Sequence, residues 1–220
     1  FPIHPRPDAG TTQGTTMKHL LTSRAILLAS ALAIAPAAWA ETPADTLVVA
    51  HTIDDIISLD PAQSFEFSGN DVNQNTYDRL VDFDPLDMEA GFKPSLAESW
   101  EVSEDGMSIT FTMRDGVAFH SGNPVRAEDA AWSLQRAVIL NKTPAFILTQ
   151  FGFTKDNVDQ KIKAADARTL VMETDQAYAP TFVLYCLTAG VASIVDSKLV
   201  QQNEKDGDFG TNWLKTNSAG

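Results

Sequence analysis

Residues able to do chemistry are plentiful in this chain, but few are spaced to do it together. His4, His19, His51 and His120 form no HxxxH or HExxH pair, the spacing that puts two imidazoles on one zinc ion. Asp71-Val72-Asn73-Gln74-Asn75 opens like a calcium loop. However, Thr76 stands where the turn needs glycine, and Asp82 where a bidentate glutamate belongs. The single cysteine, Cys186, sits in the apolar run 182–187 with no neighbouring base; it reads as core and can form no intramolecular disulfide. There is no G-x-S-x-G elbow, Walker loop or G-x-G-x-x-G turn. The residues therefore predict no catalytic centre, no metal and no cofactor. Asp54 and Asp55, taken alone, read as a solvated loop.

The elements that would position such residues are easier to see. Thr46 to His51, TLVVAH, has the continuous apolar character of a strand buried on both faces. After Asn70 as a cap, Val72, Thr76, Leu80 and Phe83 recur at helical spacing. Trp100 and Val102 alternate with polar neighbours, Asp105-Gly106 can reverse the chain, and Ile109, Phe111 and Met113 alternate on the return. Asp115-Gly116 turns again, 117–119 is strand-like, and Ser121-Gly122-Asn123-Pro124 is a third break. From Ala127 the period becomes helical, with Ala131, Leu134 and Val138 on one face. Trp100, Phe119 and Trp132 read as core aromatics. Further on, 144–153 is a helix followed by an aromatic loop, and Asp166-Ala167-Arg168 joins a second hairpin. Pro180 starts a helix through Leu187, 191–195 is strand-like, and Asp196 caps a short helix holding Leu199 and Val200.

The stretch Pro94 to Val138, with LAESW, EVSEDG, RDGV, FH-x-G-x-P and AED in order, resembles the signature of the bacterial extracellular solute-binding proteins of family 5. Weaker similarity runs from Leu47 to the last residue. The resemblance implies a mixed α/β fold of the periplasmic binding protein type II class, with an extra subdomain in the first lobe. It implies a periplasmic subunit that captures a peptide between two lobes and hands it to an inner-membrane ABC permease with its ATPase. Some relatives take nickel complexes, oligosaccharides or opine-like compounds instead. Outside the family, a periplasmic hydrolase or a sensor is the rival class. In the family the first strand-to-loop edge borders the ligand cleft, which makes Ile53, Asp54, Asp55, Ile56 and Ile57 the candidate ligand-binding residues. One departure is Arg126, where relatives carry a capping Thr or Ser; a guanidinium accepts no hydrogen bond, so the first turn of the following helix is expected to fray.

At 220 residues with 44% hydrophobic content the chain can form one or two domains. Its net charge of −13 argues against nucleic acid and anionic membrane as partners. Met17-Lys18-His19 with Arg24, the apolar run 25–35, Pro36 and Ala38-Trp39-Ala40 have the order of a secretory signal peptide, cut between Ala40 and Glu41. No cysteine follows the cut, so no lipid anchor is expected, and the released protein should not span a membrane. Residues 1–16 read as an upstream extension, 17–40 as the signal peptide, 41–64 and 191–220 as parts of a base region, and 65–190 as the family's small subdomain. By the same resemblance the chain stops at the first glycine of a motif that leads relatives into a second lobe, which this sequence lacks. A monomer is expected.

Overall fold

In a computed structural model, residues 42–50, 52–84, 86, 87, 89 and 91–220 are described. The upstream extension, the signal peptide and its Ala40–Glu41 junction lie outside them. The chain divides into two units, Phe1–Ala50 and His51–Gly220; the expected boundaries at 64/65 and 190/191 fall inside the second.

In the first unit, Thr46 N–H donates to the Pro43 carbonyl at 2.9 Å, closing a turn. The expected strand at 46–51 is not formed over its described residues. Leu47, Val48 and Val49 are 87, 68 and 68% exposed, and no strand among the described residues pairs with them. A run buried on both faces needs partners on both edges, and hydropathy alone does not supply them.

The second unit is built on a four-stranded antiparallel sheet in the order β3-β4-β6-β5. The strands are β3 (Ala97–Val102), β4 (Ser108–Met113), β5 (Ile162–Ala164) and β6 (Thr169–Glu173). A separate two-stranded ribbon pairs β1 (Val81–Phe83) with β2 (Phe92–Pro94). Alternation in β4 is clean: Ile109, Phe111 and Met113 are buried and the threonines between them half-buried. On β3 it is weaker, with Trp100 half-buried and Val102 exposed. That strand is a sheet edge, and a register shift between Ala97 and Ser99 twists it. Residues 117–119 make only an isolated bridge, Ala118 with Pro124.

Helix α1 (Phe67–Thr76) begins earlier than its apolar spacing implies and ends sooner. Asn70 lies inside it, and Phe83 belongs to β1 instead. Pairing with β2 through a short reversal wins over a continued helical period. Helix α2 (Ala127–Leu140) packs against β5 and β6, and buries Ala127, Ala131, Leu134 and Val138 as expected. Fully burying one such Leu contributes about 1.5–3 kcal/mol.

The first turn of α2 is held without the Arg126 side chain. Arg126 N–H donates to Asp129 Oδ2 at 3.0 Å, which is half of a capping box. Ala127 N–H finds the Ala167 carbonyl at 3.0 Å. Asp129 Oδ1 also accepts from the Ser197 hydroxyl at 2.5 Å. The expected fraying is thereby corrected: the acid at the third helical position replaces the missing hydroxyl cap.

After α2 come a 3-10 turn at Thr143–Ala145, α3 (Phe146–Thr149), α4 (Val158–Lys161) and α5 (Pro180–Cys186). Phe151 is fully buried and meets Phe153, Tyr178 and Phe182 edge-on. Cys186 is core, and burial pushes its thiol above the usual value. Residues 191–195 are not a strand: Gly190–Ala192 is a 3-10 turn and the rest runs extended, with Ile194 N–H on the Asp78 carbonyl at 2.9 Å. Asp196 caps α6 (Ser197–Gln202) through Leu199 N–H at 3.0 Å. A last turn, α7, spans Thr211–Leu214.

A buried ion pair joins these parts. Arg136 on α2 donates to both oxygens of Asp60, at 2.8 and 2.6 Å, and through Nε to the Phe209 carbonyl at 2.7 Å. Its two side chains are 2 and 0% exposed. The guanidinium also lies 5.8 Å from the centre of the Trp132 ring.

Candidate functional site

The loop 53–57 is strapped to the start of α1. Ile56 N–H donates to the Ile53 carbonyl at 3.3 Å, which puts Asp54 and Asp55 in a turn. Asp55 Oδ2 accepts from Ser68 N–H at 3.2 Å. Glu66 takes Ile57 N–H on one oxygen at 3.3 Å, and on the other Phe65 N–H at 2.8 Å and the Ser64 hydroxyl at 3.1 Å. Asp55 and Glu66 thus neutralise backbone amides at the head of α1, where negative charge is favoured. Asp54 is exposed.

That bracing leaves apolar groups uncovered. Ile53 and Ile57 are 56 and 66% exposed, and Phe65 and Phe67 are 53 and 95% exposed. Phe65 meets Phe146 edge-on at 5.7 Å. Beside them runs a groove of about 420 Å³, walled by Phe65, Phe67, Asn70, Ile147 and Gly190, with Glu66 at its polar edge. Gly190 lets the Asn70 side chain lie close, because a Cβ there would overlap Asn70 Oδ1 and turn that amide aside. None of Ile53, Asp54, Asp55, Ile56 and Ile57 is among the walls of the groove; Ile57 is tied to its edge only by the backbone N–H bond to Glu66. Phe65, Phe67 and Phe146 escape sequence reading, because each looks like an ordinary core residue until four segments converge. The alternation Phe65-Glu66-Phe67 leading into a helix that starts at Phe67 is the one local hint.

Among the described residues, no three His, Cys, Asp or Glu side chains gather to hold a metal ion. No helix there is long and apolar enough to cross a membrane. The groove is open and largely apolar, and the carboxylates of Asp55 and Glu66 beside it are bonded to backbone amides.

The family described as bacterial extracellular solute-binding proteins, family 5 Middle, matches residues 91–220. The chain belongs to the family 5 bacterial extracellular solute-binding proteins. It is 34% identical over 208 residues to the probable D,D-dipeptide-binding periplasmic protein of Escherichia coli K12, covering 93% of this chain and 38% of that relative. It is 38% identical over 147 residues to heme-binding protein A of Haemophilus influenzae, covering 60% of this chain and 26% of that one. The ABC transporter-associated periplasmic binding protein DppA from Helicobacter pylori, solved in complex with the peptide STSA, superposes with a TM-score of 0.59 at 25% identity. That match covers 74% of this chain and 33% of the solved one. The fold is thus the mixed α/β fold of periplasmic peptide-binding proteins, over about a third of their length.

Proposed function

We propose that this chain is the solute-binding component of an ABC importer, that its solute is a peptide, and that it works in the periplasm without turnover. The observation carrying this reading is the exposed aromatic groove beside the braced loop 53–57, on a fold whose matched relatives include dipeptide-binding and peptide-complexed proteins. An extended peptide suits such a place, since its backbone can bond along the loop edge while side chains lie on Phe65 and Phe67. In this reading residues 65–190 form a small subdomain, and 41–64 with 191–220 belong to the base that carries it. Capture requires a second surface closing over the groove, because a ligand held on one side stays half in water.

The test is titration calorimetry of di- and tripeptides against a chain of its relatives' length, beside the 220-residue chain. Binding without product is expected from the longer chain, weakened about 5–10-fold by Phe65→Ala or Phe67→Ala, the size of one lost aromatic contact. Equal affinity from both chains would overturn capture between two surfaces. Insensitivity to both substitutions would overturn the groove.

A further inference from the structure

Next to the groove lies a second pocket of about 490 Å³, within the range of small-molecule sites. Gln74 and Ala189 line both spaces and form the wall between them. The chemistry across that wall is different. Lys93 on β2 and Asp71 on α1 line the pocket, and neither is in an ion pair among the described residues. Arg79, only 6% exposed, spends Nη2 on Asp82 at 3.2 Å and Nη1 on the Tyr77 carbonyl at 3.4 Å. Its Nε–H has no acceptor. Phe83 and Tyr185 stack with centroids 6.2 Å apart and planes 22° from parallel, and Tyr185 keeps 58% of its surface exposed.

With Asp82 neutralised by Arg79, the charges left over are one cation and one carboxylate. A purely anionic ligand would gain Lys93 and meet Asp71 as a like charge, and a purely cationic one the reverse. A molecule bearing both charges satisfies both groups, and a planar side chain extends the Phe83–Tyr185 stack. We infer that this pocket is a second ligand site, for a free aromatic α-amino acid in its zwitterionic form. It stands independently of what the groove binds.

L-phenylalanine is the probe, titrated into the 220-residue chain by calorimetry or NMR, beside 3-phenylpropionate and phenethylamine. Saturable binding of phenylalanine is expected, with each analogue at least about fivefold weaker. Lys93→Gln and Asp71→Asn should each cost about fivefold, the size of an exposed charge pair. Both positions are exposed, so folding is not at stake. Tyr185→Ala should weaken binding too, while Phe65→Ala in the groove should leave it as it was. Three results would overturn the site: no saturable binding, analogues that bind as well as phenylalanine, or loss with Phe65→Ala in place of the two charge variants. None of them bears on peptide binding by the longer chain.

Discussion

Asp60 and Arg136 hold each other where neither has water to fall back on. Removing one leaves the other charge buried, so Asp60→Ala should destabilise the fold by about 3–5 kcal/mol in urea unfolding. Asp60→Leu combined with Arg136→Met should recover much of that loss, because desolvation then disappears from both sides. The pair cannot be read in the sequence, since its partners are 76 residues apart and Asp60 looks like an ordinary Leu-Asp-Pro turn. A pair of carboxylates, Asp129 and Asp196, makes a pH prediction. Burial raises the Asp129 carboxyl, helped by the nearby Asp196 charge, against its bonds from Ser197 and Arg126. Burial also works on Asp196, but bonds from Ser121, Leu199, Asn123 and Lys198 outweigh it and the carboxyl ends below the usual value. Asp129 therefore adds stability below the ordinary aspartate value and loses it as pH rises through its own raised one. Asp196 adds stability above the ordinary value and loses it as pH falls through its lowered one. Thermal melts across the acid range should show Asp129→Asn removing the decline on the rising side, and Asp196→Asn removing part of the acid-side loss. The same direction in both variants would contradict the assignment.

Among the elements, the hairpin between β3 and β4 has the sharpest local specification. Gly106 adopts φ +70°, and a Cβ there would meet only Ala177 Cβ at an ordinary 3.5 Å. Gly106→Val should thus cost backbone strain rather than a clash, about 1–2 kcal/mol. For a unit of this size that lowers the melting temperature by about 2–8 °C; an unchanged melt would remove the turn from its structural role. Both hairpins and α2 were legible because period and turn chemistry act within a dozen residues. The run 46–51, over its described residues, and the stretch 191–195 are not the strands their hydropathy predicts, since a strand is defined by a partner that hydropathy does not name. α1 was misplaced for a related reason: Leu80 and Phe83 fit its period, yet β2 claims that segment. For the site, sequence led to loop 53–57, whereas the phenylalanines and Gly190 at the groove emerge only from the packing of distant segments.

At the scale of the whole molecule, the signal-like order of residues 17–40 predicts an exported form beginning at Glu41. Intact-mass measurement of periplasmic material checks this, and retention of residues 17–40 would count against it. The Arg136 clamp also has a consequence for how the chain is made. Asp60 emerges from synthesis 76 residues before the guanidinium that neutralises it. The Phe209 carbonyl that completes the clamp lies a further 73 residues beyond Arg136. At about 5–20 residues per second, Asp60 waits some 4–15 s for Arg136, and Arg136 about as long again for Phe209. Throughout that interval the nascent chain carries a solvated aspartate and an unclosed helix face, so a holding chaperone would find its target in the stretch between them.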